Sequence, residues 1–157
     1  MDFVDRKILS YVQERGRDSL AEVAAAAGLS VSAANERLKK LQARGVIRGW
    51  GARVDPRAVG RGVLAFTYVA VQRQEAEAGF VAAVAALPEV QECHHLTGEW
   101  SYLLKLRLTS IDQLERVLAG AIKAWPVRTH TVIALSSAKE SAFVPCDPPD
   151  TPDGPPS

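Results

Sequence analysis

The stretch Gly28-Leu29-Ser30, with Val31 to Leu41 behind it, constrains this chain more than any other. Gly28 can end a helix in a left-handed conformation without a Cβ clash. Ser30 is a good N-cap residue, able to accept a backbone N–H of the next turn. Val31, Ala34, Leu38 and Leu41 then recur at helical spacing and form an inner apolar stripe. At about 3.6 residues per turn, Ser32, Ala33, Glu36, Arg37 and Lys40 fall on the opposite side. Short side chains in front and cations behind suit a helix that enters the DNA major groove. Small groups admit the helix axis, polar atoms meet base edges, and Lys or Arg hold phosphates. An ordinary amphipathic helix carries the same stripe, and the alternative role for Arg37 is a salt bridge within the helical domain. The surroundings decide.

Upstream, Asp2 to Glu14 carries Val4, Ile8, Tyr11 and Val12 at helical spacing and is ended by Gly16. Ser19-Leu20-Ala21-Glu22 has the capping-box pattern, and Leu20, Val23, Ala24 and Ala27 give that helix its inner face. Three short helices, the last two joined by a glycine-containing turn, make a helix-turn-helix. Its expected DNA-contacting residues are Ser30, Ser32, Ala33, Glu36, Arg37 and Lys40. From Gly45 to Pro56, glycines interrupt alternating apolar and basic residues, which predicts a short strand and hinge with Arg48 and Arg53 on a wing.

Charge agrees in a modest way. The net charge is only +1, but residues 1–55 hold ten Lys or Arg against seven Asp or Glu, while the rest hold nine against eleven. A mildly basic front half fits a DNA-binding module that gains strength when duplicated. Two cysteines form no disulfide framework, which fits a reducing cytoplasm. No basic-then-apolar leader opens the sequence, and no apolar run approaches ~18 residues, so no membrane partner is expected.

From Leu64 the period changes from helical to alternating. Phe66, Tyr68 and Ala70 alternate with Thr67, Val69 and Val71 as a strand. Phe80, Val81, Val84 and Leu87 mark a helix ended by Pro88. Val90 to Thr97 and Tyr102 to Leu108 read as strands around a turn at Gly98-Glu99-Trp100-Ser101. Ile111, Leu114, Leu118, Ile122 and Trp125 mark a second helix ended by Pro126, and Val127 to Ser136 is a fourth strand. The order β-α-β-β-α-β is that of a ferredoxin-like sandwich. The fold class is α+β: a winged helix-turn-helix over residues 1–50, a hinge over 51–63, the sandwich over 64–140, and a Pro/Asp-rich tail over 141–157 expected to be disordered. The leucine-rich strand around Leu103 and Leu104 leaves apolar surface that a partner subunit would cover.

Cys93, His94 and His95 invite a metal reading. Strand neighbours point to opposite faces, so Cys93 and His95 share a face while His94 does not. Even with His130 a fourth ligand is wanting, and no metal is expected. No Ser-His-Asp set, phosphate loop or paired-carboxylate pattern stands out, so neither catalysis nor a cofactor is expected.

The chain resembles the Lrp/AsnC, or feast/famine, family of regulators. The resemblance rests on Asp5-Arg6-Lys7-Ile8-Leu9, Gly28-Leu29-Ser30, Arg37-Leu38-Lys39-Lys40-Leu41, Gly45-Val46-Ile47, and Asp55-Pro56 with Gly60. It continues with Pro88-Glu89-Val90, Thr97-Gly98, Tyr102-Leu103-Leu104-Lys105 and Val127-Arg128-Thr129-His130-Thr131. The resemblance implies a C-terminal amino-acid-binding (RAM) domain. It further implies dimers that assemble into octamers or other even-numbered rings, with effectors held between subunits. It places the effector at Gly98, Glu99, Trp100, Ser101 and Tyr102, with Thr129 and Thr131 across a subunit contact. Gly98 allows close backbone approach, and the hydroxyls both donate and accept. Ser101 stands where the family usually has Asp, so a hydroxyl replaces a carboxylate that would pair with an ammonium group. Two alternatives share the architecture. One is a sirohaem-decarboxylase-like enzyme using Arg128 and His130. The other is a ligand-binding oligomer that has lost DNA binding, suggested by the phosphate-repelling Glu36.

Overall fold

The computed structural model describes residues 1–16 and 18–146 and divides the chain into two compact units. The first contains residues 1–53 and 140–146; the second is Val54–Lys139. The first unit is built on α1 (Phe3–Arg15), α2 (Leu20–Ala27) and α3 (Val31–Ala43). Each helix starts on a side-chain cap. Asp2 accepts the Asp5 N–H at 2.7 Å while the Asp5 carboxylate accepts the Asp2 N–H. Ser19 and Glu22 form the expected capping box, and Ser30 accepts the Ala33 N–H at 3.3 Å. Gly28 is left-handed at φ 67°, and the Leu29 N–H reaches back to the Ala24 carbonyl. These bonds satisfy the orphan groups at the helix ends and set the turn between α2 and α3.

Ile8, Leu9 and Val12 of α1, Val23 and Ala27 of α2 and Leu41 of α3 make the core of this unit. Between residues 45 and 56 the expected short strand does not form. The Val46 N–H bonds back to the Leu41 carbonyl, ending α3, and Ile47 and Trp50 turn in to pack on the helical core. A strand needs a ladder partner, and burial of two large apolar side chains takes its place.

Residues 141–146, expected as the start of a disordered tail, lie along α1 instead. The Gln13 amide donates to the Val144 carbonyl at 2.9 Å and accepts the Val144 N–H at 2.8 Å, and Arg6 donates to the Cys146 carbonyl at 2.6 Å. One side-chain amide thus satisfies both backbone groups of Val144, which composition could not foretell. The remainder of that tail, from 147 on, lies outside the described residues.

The second unit follows the expected order. Its elements are β1 (Val63–Val71), α4 (Glu77–Ala85), β2 (Val90–His95), β3 (Tyr102–Leu108), α5 (Ile111–Val117) and β4 (Val127–Ile133). The sheet is antiparallel with order β2-β3-β1-β4. Ala65 and Val69 of β1 and Leu104, Leu106 and Leu108 of β3 meet Phe80, Val84, Leu114 and Ile122 in one core. The strand period of two then sends Phe66, Tyr68, Leu103, Lys105, Arg128, His130 and Val132 to the opposite face. The helix expected from Ile111 to Trp125 is α only to Val117 and widens into a π turn over Leu118–Ile122.

Because Gly28 has positive φ and nothing within 4 Å of a built Cβ, Gly28→Ala should carry only the conformational penalty, about 1 kcal/mol. Urea denaturation should show that loss with an unchanged m-value.

Candidate nucleic-acid interface and effector loop

Ala34 and Leu41 are buried and fix the inward side of α3. Opposite them stand Ser32, Glu36 and Lys39, and the Glu36 and Lys39 side chains are 63% and 65% exposed. Lys40 and Arg44 are also exposed. Ser30 spends its hydroxyl on the cap, and Ala33 borders a depression of about 340 Å³ shared with Asp5, Glu36, Arg37 and Lys40.

Two readings of α3 change. Val31, placed in the inner stripe by spacing, is 49% exposed, because it begins the helix beyond the reach of the core. Arg37, placed on the outer face, is tied down. Its Nη1 donates to Asp2 at 2.6 Å and to Asp5 at 2.7 Å. The salt-bridge role is the one adopted, and Asp2 and Asp5 are the partners that spacing within α3 could not reveal. The Asp5 N–H first, and then the Arg37 guanidinium, hold the Asp2 carboxyl below its usual range. Those hydrogen-bonded carboxylates in turn hold the Arg37 proton more firmly.

In the second unit, Gly98 has φ 102°, a turn conformation that favours glycine. Glu99 pairs with Arg128 at 2.7 Å, and the Arg128 guanidinium lies 4.3 Å from the centre of the Trp100 ring. Trp100 also lies against Tyr68 and His130, at ring separations of 5.9 and 6.2 Å. Ser101 Oγ accepts the Val71 N–H at 3.2 Å, so its hydroxyl closes the end of β1. Tyr102 points the other way, buried, its OH donating to Glu77 at 2.8 Å. Burial and that carboxylate push its pKa up to about 12. Thr131 shares a 2.9 Å hydrogen bond with Thr67 on the helix-bearing side, and Thr129 has the same strand parity. Within one chain, then, Trp100 and the two threonines lie on opposite faces of the sheet. Sequence reasoning missed Tyr68 as a wall of the loop; its even parity with Phe66 was the available signal.

His94 pairs with Glu92 at 2.9 Å, and His95 stacks on Tyr102 at 4.9 Å. Cys93 packs against the core, where burial pushes its thiol up. Among the described residues no three His, Cys, Asp or Glu side chains are placed to share a metal ion. No helix among them is long and apolar enough to cross a membrane.

Residues 1–48 match the family of winged helix-turn-helix DNA-binding domains, and residues 64–143 match the Lrp/AsnC ligand binding domain. The chain belongs to the Lrp/AsnC family. It is 35% identical to the HTH-type transcriptional regulator LrpA of Mycobacterium tuberculosis, over 87% of this chain and 91% of that protein. It is 36% identical to the proline dehydrogenase transcriptional activator of Rhizobium radiobacter, over 91% and 94%. Among solved structures, a Neisseria meningitidis regulator complexed with L-Met superposes with a TM-score of 0.88 at 30% identity, covering 92% of this chain and 96% of that one. This Lrp/AsnC chain is accordingly a DNA-binding regulator with a ligand-binding domain, and its relatives are named as regulators of transcription.

A carboxyl held below its ordinary value of 3.8 contributes stability that is complete above that pH and is lost as acidification protonates it. Asp2→Asn should therefore lower the thermal midpoint of the protein at pH 7, and the gap from the parent should close below about pH 4. A gap that did not narrow at all as the pH fell below 3.8 would show that the charge of Asp2 is not the source.

Proposed function

We propose that this chain is a cytoplasmic transcriptional regulator that binds duplex DNA as a dimer or larger even-numbered ring. It responds to an amino acid or related small molecule held between subunits. The observation that carries the reading is the outward side of α3, where Ser32, Glu36 and Lys40 stand exposed on a helix fixed from behind by Ala34 and Leu41. Ser32, Ala33 and Glu36 lie near base edges, Glu36 accepting from a cytosine amino group. Lys40 holds a phosphate. Ser30 starts the helix, and Arg37 contributes by positioning it. A symmetric dimer presents two such helices to a pseudo-palindromic site.

An amino-acid effector is supported by the L-Met complexes of two structural neighbours, the N. meningitidis regulator and a feast or famine regulatory protein of M. tuberculosis. We place it at Gly98, Glu99, Trp100, Ser101 and Tyr102, with Thr129 and Thr131 supplied by a neighbouring subunit. Ser101 offers a hydroxyl where a carboxylate is usual, which weakens recognition of a free ammonium group. The apolar residues of the open sheet face, Phe66, Tyr68, Leu103 and Val132, which stand among Lys105, Arg128 and His130, support subunit pairing.

Gel retardation over a salt series tests the DNA contact. Lys40→Ala should weaken binding to all sequences alike and make the salt slope shallower by about one unit. An unchanged slope would remove Lys40 from the backbone contacts. For the effector, L-methionine and the other common amino acids should be titrated against oligomer size by light scattering. Tight binding left intact by Gly98 and Thr131 substitutions would show the site to be elsewhere.

A further inference from the structure

Charge alone singles out Arg37 and Lys40 as the working cations of α3, but Arg37 faces α1. We infer that Asn35 reads an A·T pair in the major groove, with Lys39 as the adjacent backbone anchor. The inference rests on the DNA-binding reading above.

The direction comes from the core. At about 100° per residue, the side opposite Ala34 and Leu41 is centred on Ser32, Lys39 and Glu36. Two flanks border that side. Lys40 stands on the flank leading to Arg37 and the two α1 carboxylates. Asn35 stands on the other flank, away from them, and is half-exposed. No protein group among the described residues bonds its amide.

Chemistry then separates Asn35 from its neighbours. An Asn amide has a donor and an acceptor side by side, matching adenine N7 and N6 in a bidentate pair. Asn35 sits one turn from the start of α3, in the half of a recognition helix that meets base edges. Its neighbours Val31 and Ser32 are short, so the helix axis can come close enough for a short side chain to reach. Val31 is one turn earlier on the same line, and its exposed methyl groups suit the thymine C5-methyl of a nearby pair. Lys39 is one turn later. It lies 3.8 Å from Glu36, which offsets that carboxylate before phosphates arrive. Arg37 acts through this geometry. By pairing with α1, Arg37 holds its own side chain off the groove and leaves the side from Asn35 to Lys40 open to it.

Selection of bound duplexes from a random library, with the full-length protein, tests the inference. The parent should select a site with one A·T pair fixed in each half. Asn35→Ala should keep its thermal midpoint and the rest of the consensus. Its preference for that A·T pair over G·C should fall about tenfold or more. Replacing the fixed adenine by 7-deazaadenine should weaken the parent by a similar factor and leave Asn35→Ala unaffected. An unchanged consensus in Asn35→Ala, or equal losses for both proteins on the modified base, would overturn the role of Asn35 while leaving DNA binding intact. A parent that selected no sequence and retarded no duplex at low salt would instead overturn the DNA-binding reading itself.

Discussion

The first unit is organised by one guanidinium shared between two carboxylates. Asp2 and Asp5 already cap each other's backbone at the start of α1, and Arg37 crosses from α3 to bond both. Arg is suited to this because its planar fork holds two oxygens at once without losing charge. Asp2 is exposed and Arg37 a third exposed, so solvent screens that arm of the bridge and its weight in stability is small, while Asp5 sits deeper. The bridge matters more for position. Ala34 and Leu41 are buried and Leu38 packs on the same core, and the clamp adds a second tie from α3 to α1 on the Arg37 flank. That tie bears on which side chains are left for an outside partner. The alanines of α2 contribute in a quieter way, since Ala24 and Ala27 are small enough to be buried between helices.

In the second unit the corresponding constraint is strand parity. On β1 and β4, odd residues meet the helices and even residues meet the open face. The turn from Gly98 to Ser101 delivers Trp100 to the even side, where Tyr68, His130 and Arg128 receive it. Thr67 and Thr131 bond each other on the odd side. No rotamer change brings Trp100 and Thr131 together through a hydrogen-bonded sheet. A pocket using both must draw on a second copy, which is why the proposed effector site and the proposed assembly stand or fall together. The tetrapyrrole alternative meets a related obstacle, because Arg128 is occupied by Glu99 and Trp100.

Local rules carried most of the fold. Capping residues, helix-ending glycines and the change from helical to alternating period point to α1 to α5 and to β1 to β4 among the described residues. Tyr102–Leu108 came out with both ends in place because a turn and a threonine-serine cap bound it. What stayed hidden depends on contacts between distant residues. The Gln13 clasp on Val144 spans 131 positions and the Arg37 bridge to Asp2 spans 35, and no periodicity encodes either. The same limit explains the α3 face. A helical wheel gives relative angles but not the inward direction at a helix end, so spacing alone puts Val31 inside and Arg37 outside, where the structure leaves Val31 exposed and bonds Arg37 to α1. The strand expected near Trp50 failed for a similar reason: alternation is necessary for a strand, but its hydrogen-bond partner must also be supplied.

Charge bears on DNA binding through the number of contacts that copies of α3 can make. The outward side of one α3 offers Lys39 and Lys40, with Arg44 close by and Glu36 opposing them. Each phosphate held by such a cation contributes a salt slope of about 0.9, so a single helix with two or three contacts loses most of its hold near physiological salt. Two helices joined in one assembly turn the second encounter into an intramolecular one and multiply affinity without any new kind of contact. A ligand that prefers one assembled state then changes DNA affinity by as much as DNA changes affinity for the ligand. The near-neutral charge of the chain is therefore not a weakness of the regulatory design. On the proposed reading, it would keep a lone subunit loosely bound, so that occupancy of the operator would follow assembly, and assembly the effector.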